Sequence, residues 1–140
     1  MKTISFSPPD ITEEEIEEVA EALRSGWITT GPRTKYLEKK IADYCGTNKA
    51  VCLNSATAAL ELNLRVLGIG PGDEVITSAY TYTASASVID HVGAKIVLVD
   101  TAIDSYEMDY EKLENAITEK TKAIIPVDLA GIPCNYSVSY

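Results

Sequence analysis

Apolar residues recur at helical spacing in the first part of this chain, and afterwards in short runs separated by helical stretches. Ile16, Val19, Ala20 and Leu23 fall three or four positions apart, Thr12 and Glu15 stand where a capping box needs them, and Gly26 follows the last apolar position. This pattern predicts a helix that starts after Thr12 and ends before Gly26. The glycine-bounded loop Gly26-Trp27-Ile28-Thr29-Thr30-Gly31-Pro32 leads into a second predicted helix over 34–45, with Leu37, Ile41 and Tyr44 facing inward and Gly46 as its stop.

From residue 50 the rhythm changes. Apolar runs at 50–53, 74–77, 95–99 and 122–127 read as strands, and 56–67, 81–92 and 110–117 read as helices between them. Apolar strands that alternate with helices form parallel sheets covered on both faces. The expected fold class is therefore α/β, a three-layer αβα sandwich with a mostly parallel sheet, preceded by two N-terminal helices. Right-handed crossovers would bring the carboxyl end of every strand, and each strand-to-helix turn, to one edge. A buried parallel strand makes a poor permanent edge, so the run at 122–127 reads as part of a larger sheet.

Composition narrows the partners. With 140 residues, 46% hydrophobic and 24% charged, the chain reads as one ordinary soluble domain. A net charge of -9 disfavours nucleic acid, which needs clustered Lys and Arg. Much of the acidic excess lies in Asp10, Glu13, Glu14, Glu15, Glu17, Glu18 and Glu21, which reads as a solvated helix face. No signal-peptide pattern opens the sequence and no apolar stretch is long enough to span a bilayer, so a cytoplasmic protein without a membrane partner is expected. Cys45, Cys52 and Cys134 are odd in number and lack metal or redox spacing, which suits reduced thiols. A single histidine, His91, makes a zinc site or a Ser-His-Asp arrangement hard to assemble, so no metal is expected; near Gly93, His91 reads as a partner of a helix C-terminus.

Two turns carry candidate chemistry. Asn54-Ser55-Ala56-Thr57-Ala58-Ala59-Leu60 follows an apolar run and opens a helix. The first N–H groups of a helix lack intrahelical partners, and Ser55, Ala56 and Thr57 are small enough for a phosphate to approach them; the same residues also suit an ordinary N-cap. Ser78-Ala79-Tyr80-Thr81-Tyr82-Thr83 also follows a run and opens a helix, so it would lie on the same edge. Its two tyrosines add flat aromatic surface, and a phosphate cradle beside a stacking ring suits a planar aromatic phosphate ester. Core packing is the plainer role for either tyrosine. No Gly-x-Gly-x-x-Gly follows any run, which disfavours a nucleotide-binding Rossmann domain.

The loop at 26–32, the turn at 54–60, Pro71-Gly72-Asp73-Glu74-Val75-Ile76, Ala79-Tyr80-Thr81-Tyr82 and Val127-Asp128-Leu129-Ala130-Gly131 occur in an order that resembles the DegT/DnrJ/EryC1/StrS family of pyridoxal-phosphate-dependent sugar aminotransferases. The resemblance runs from Ile4 to Pro133 and implies the fold-type I aspartate aminotransferase architecture. Residues 1–33 would then form an N-terminal helix and substrate-entrance loop, and 34–140 an incomplete PLP-transferase large domain. It further implies pyridoxal 5'-phosphate as cofactor. Ser55, Ala56 and Thr57 would hold its phosphate, Tyr82 would stack on its pyridine ring, and Asp128 would stand near the ring or substrate where many members carry histidine. Trp27, Thr30 and Gly31 would line the sugar-nucleotide entrance. The implied partners are a nucleotide sugar, an amino donor such as glutamate, and a second copy of the chain in a homodimer.

Members of this family later supply an aspartate for the pyridinium nitrogen and then the lysine that forms the Schiff base. No lysine of this sequence lies in the matching segment, so no catalytic residue is assigned, and the 140 residues are expected to be an inactive N-terminal piece of such an enzyme. Residues 135–140 leave the family pattern, which fits a truncated product. A sugar dehydratase of the same family, with histidine in place of that lysine, and a non-catalytic binding or assembly module are the other readings of these motifs.

Overall fold

The computed structural model describes residues 7–137. The chain divides into two compact units, Met1–Cys52 and Leu53–Tyr140. The sequence features at 1–6 and at 138–140 lie outside the described residues.

The first unit holds α1 (Glu13–Arg24) and α2 (Pro32–Cys45). Thr12 and Glu15 form the capping box: the Glu15 carboxylate accepts from the Thr12 backbone N–H and hydroxyl, both at 2.6 Å. These bonds hold the Glu15 carboxyl below the ordinary glutamate range. Helix α2 begins at Pro32, ahead of the expected start, because proline at the first helical position has a pre-set φ and no N–H to leave unpaired. It ends at Gly46, whose φ of +66° lets the chain turn off the helix in the left-handed region.

The acidic face of α1 is solvent-exposed as expected, and Arg33 pairs with Glu18 and Glu21 on it. The apolar stripes are a correction, because they are not buried. Ile16, Val19 and Leu23 on α1, and Leu37, Ile41 and Tyr44 on α2, are all exposed, and Ala42 is the buried residue of α2. An amphipathic pattern shows that a helix has an apolar stripe; burying it needs a second surface, and none among the described residues covers these.

The second unit runs α3 (Ala56–Val66), β1 (Glu74–Ser78), α4 (Ala84–His91), β2 (Lys95–Val99), α5 (Tyr110–Ala116), β3 (Thr121–Ile125), and then a short 3-10 turn at Leu129–Gly131. The strands form one sheet in the order β2-β1-β3 with both pairings parallel, and Ile76 lies opposite Val97 on one side and Ile124 on the other. Side chains alternate across β1, so Val75 packs with Leu64, Val88, Ile89 and Val92 on the α3/α4 face, and Ile76 packs with Val99, Met108 and Leu113 on the α5 face. The result is the expected αβα layering. The run at 50–53 is a correction: it forms no strand, since no described strand pairs with it and Val51 is exposed. A strand exists only through its ladder, and apolar content alone supplies none.

Every position of β1 is buried, including three polar ones. Thr77 donates to the Ile125 carbonyl at 3.0 Å, and Ser78 both accepts from the Tyr80 N–H and donates to the Tyr80 carbonyl. At the amino end Glu74 takes the Lys95 ammonium at 2.8 Å and the Thr118 hydroxyl at 2.7 Å, which ties the starts of all three strands together. The His91 ring binds Glu61 at 2.9 Å, and Arg65 donates to the His91 carbonyl at 3.2 Å, so the C-terminal end of α4 is clamped to α3. Among the described residues, no helix is long and apolar enough to cross a membrane.

The Lys95 and Thr118 bonds hold the Glu74 carboxyl below its ordinary value. A depressed folded pKa stabilises above the unfolded value, and this contribution fades as pH falls through the folded one. Urea midpoints of the wild-type chain should therefore drop on acidification, and Glu74→Gln should lower the neutral-pH midpoint and flatten part of that drop; identical pH profiles for the two would contradict the role of this pair.

Candidate functional site

Because all three strands run parallel, the segments that leave their carboxyl ends share one edge of the sheet: 79–83 after β1, 100–109 after β2 and 126–136 after β3. Helix α4 follows β1 and so begins at that edge, and α3 lies beside α4 with its Glu61 and Arg65 bonded to His91 at the end of α4, which turns the start of α3 toward the same edge. The two helices pack against each other.

Ser55 is the N-cap of α3, in extended conformation, and its Oγ accepts from the Ala58 N–H at 3.1 Å. The Ala59 N–H is taken by the Ser55 carbonyl. That leaves the N–H groups of Ala56 and Thr57 and the Thr57 hydroxyl, none of which makes a hydrogen bond among the described residues. Ala56 is exposed and Thr57 half-buried. Two unpaired N–H groups on the positive end of an 11-residue helix, with a hydroxyl beside them, are a donor set that matches a phosphate.

The turn before α4 treats its two tyrosines differently. Tyr80 stacks on Tyr106, ring centroids 5.8 Å apart and planes at 22°, and its backbone is held by Ser78. Thr81 and Ser85 share a hydroxyl–hydroxyl bond of 2.9 Å. Tyr82 has neither a ring partner nor a hydroxyl partner among the described residues and is 80% exposed. These anchors also explain why α4 starts at Ala84 and not at the expected position 81: the backbone of 79–83 is committed to the turn. Tyr106 lay outside the sequence expectations, since an aromatic residue in a loop carries no periodic signal.

Asp128 follows β3 and organises its own loop. Its Oδ1 accepts from the Cys134 N–H and from the Tyr136 hydroxyl, both at 2.9 Å. The Cys134 N–H first, and then Tyr136, hold this carboxyl below the usual aspartate range. The loop passes through Ala130 and Gly131 with φ of +54° and +78°, two successive left-handed residues that reverse the chain. Cys134 is buried, its thiol donates to the Val127 carbonyl, and burial pushes its pKa up.

Trp27, Thr30 and Gly31 belong to the first unit. The Trp27 indole N–H donates to the Thr30 carbonyl at 3.1 Å and closes the loop over itself. Gly31 is there for space: its φ of -161° is ordinary, but a Cβ would lie 1.9 Å from the indole Nε1. Trp27, Thr29, Gly31 and Arg33 border a hollow of 230 Å³. The Thr30 hydroxyl makes no hydrogen bond among the described residues. Among those residues no cluster of three or more His, Cys, Asp or Glu side chains could hold a metal ion.

The sequence profile of the DegT/DnrJ/EryC1/StrS aminotransferase family matches residues 9–138. The spore coat polysaccharide biosynthesis protein SpsC of Bacillus subtilis is 46% identical over 94% of this chain and 34% of its own length. The UDP-4-amino-4-deoxy-L-arabinose–oxoglutarate aminotransferase of Shewanella sediminis is 48% identical over 94% of this chain and 34% of its own. A Streptococcus pneumoniae protein assigned as a sugar aminotransferase, solved in PMP and PLP forms, superposes with a TM-score of 0.93 at 67% identity, over 99% of this chain and 35% of that one. The chain thus spans about a third of the length of the relatives it matches.

Gly31→Ala should force the indole off its seat and break its bond to the Thr30 carbonyl. Trp27 is the only tryptophan, so its fluorescence maximum should shift while far-ultraviolet circular dichroism stays unchanged; an unshifted maximum would show that the loop absorbs the methyl group.

Proposed function

The chain belongs to the DegT/DnrJ/EryC1/StrS aminotransferase family, and from this premise we propose that it forms the cofactor-phosphate part of a pyridoxal-phosphate-dependent sugar aminotransferase. The observation that carries the reading is the unpaired donor set at Ala56 and Thr57, on the sheet edge that also presents the unstacked ring of Tyr82. Two relatives named for polysaccharide biosynthesis and for a UDP-sugar amino transfer, and a neighbour solved with both cofactor forms, support it. Their names favour a nucleotide sugar as substrate and glutamate as amino donor.

Each residue then has a defined task. The Ser55 cap orders the first turn of α3 and keeps the Ala56 and Thr57 N–H groups directed outward, where they and the Thr57 hydroxyl bind the phosphate. Tyr82 orients the ring by stacking. Asp128, held ionised by Cys134 and Tyr136, offers a carboxylate acceptor near the ring or the sugar. Trp27, Thr30 and Gly31 shape the entrance for the sugar nucleotide. Bound pyridoxal phosphate supplies an electron sink for moving an amino group. None of the matched motifs supplies a lysine to move the protons, so in this reading the 140 residues by themselves bind cofactor without turning over substrate. In this reading two copies of the whole protein share each site in a homodimer that works in the cytoplasm, a setting with which the free thiols of Cys45, Cys52 and Cys134 agree.

Pyridoxal phosphate should quench the intrinsic fluorescence of the wild-type chain saturably. Tyr82→Ala should weaken that binding about threefold to tenfold, the worth of one aromatic stack, and Thr57→Val about tenfold or more, the worth of a hydrogen bond to a charged group. Absence of saturable binding would defeat the proposal. Separately, an assay of the 140 residues with glutamate and a keto-sugar nucleotide should give no product; measurable turnover would show that catalysis is complete without the lysine.

A further inference from the structure

The edge that carries the candidate site is assembled from three segments, and one side chain links two of them. The 100–109 segment is pinned at both ends: Thr101 bridges Met108 in antiparallel fashion, and the Asp109 N–H donates to the Asp100 carbonyl at 2.9 Å. Met108 is buried in the α5-face core, which anchors the segment from below. Two residues before it, Tyr106 lays its ring on Tyr80. Tyr106 also borders a small hollow with Val127, Leu129 and Ile132, so the same residue lies between the segments after β1 and after β3. At its far end the segment reaches the third loop again, where the Tyr110 hydroxyl bonds the Glu107 carboxylate and accepts from the Asn135 N–H at 2.7 Å.

Tyr80 is therefore held on two sides, by Ser78 through its backbone and by Tyr106 through its ring, and Thr81 is held by Ser85. With both preceding residues anchored, the Tyr82 ring is left directed to the outside. We propose that Tyr106 is a positioning residue: by stacking on Tyr80 it fixes the 79–83 turn, and so sets the place and orientation from which Tyr82 meets a planar aromatic ligand. The proposal rests on the reading of Tyr82 as the ring-stacking side chain. Tyr106 acts through Tyr80 and touches no ligand itself. The ring, not the hydroxyl, is what the stack uses.

Amide hydrogen exchange of the full 140-residue chain, without ligand, tests the positioning. Tyr106→Ala, and Tyr106→Leu to preserve apolar volume and folding, should speed exchange at the Tyr80, Ser85 and Ala86 amides about threefold to tenfold, the worth of one aromatic pair. The β1 amides should keep wild-type rates, and Tyr106→Phe should match wild type throughout. In titrations with pyridoxal phosphate, the Ala and Leu variants should bind more weakly by a similar factor and lose circular dichroism in the bound cofactor's absorption band, and Phe should restore both. Unchanged exchange at those three amides, a rise shared equally by β1, or a Phe variant that behaves like Ala would each overturn the proposal. A wild-type chain that fails to bind pyridoxal phosphate would defeat the proposed function alone, because the exchange comparison judges Tyr106 without ligand.

Discussion

The second unit is organised around the two parallel ladders of β1. Val75, Ile76 and Thr77 are fully buried, and the strand has hydrogen-bonded neighbours on both sides. A buried backbone without partners would be costly, so β1 can sit at the centre only because β2 and β3 satisfy it from either side. Alternation along the strand then assigns the layers, with Val75 facing α3 and α4 and Ile76 facing α5. Glu74 adds the one charged group in this centre, and it is tolerated because Lys95 and Thr118 take up its oxygens.

The same constraint locates the candidate site. Parallel strands put their carboxyl ends on one edge, and the helices on either side of β1 in sequence both begin there. Helix α4 packs on β1 and α3 packs on α4, so the start of α3, with its unpaired donors, is carried toward the 79–83 turn. The loops finish the arrangement by different means. The first is held by a ring stack, the second by backbone bonds and a buried methionine, and the third by a carboxylate that accepts from Cys134 and Tyr136. Each loop thus spends its strongest local interaction on order. Among the described residues, the Ala56 and Thr57 N–H groups, the Thr57 hydroxyl and the Tyr82 ring are not used in this way.

Some of this was legible because it depends on neighbours in sequence. The Thr12–Glu15 capping box, the Gly26 and Gly46 stops, the Ser55 cap and the three strands of the sheet follow from spacing and local chemistry. The run at 50–53 misled because its apolar content resembles a strand, while strand formation needs a partner ladder. The stripes of α1 and α2 misled for a related reason: Ile16, Leu37 and Tyr44 mark a face, and burial depends on what covers it.

By itself the sequence determined the helices, the three strands that pair, the α/β class and the small-residue and tyrosine-bearing turns at 54–60 and 78–83, because helix caps, glycine turns and side-chain periodicity act within a few residues. Only the tertiary structure decided that β1 lies between β2 and β3, that Tyr80 is occupied by Tyr106 while Tyr82 is not, and that Asp128 is committed to its own loop. Tyr80 and Tyr82 are the same residue type two positions apart. What separates them is a ring 26 residues away, and contacts of that range exist only once the sheet has set the loops side by side.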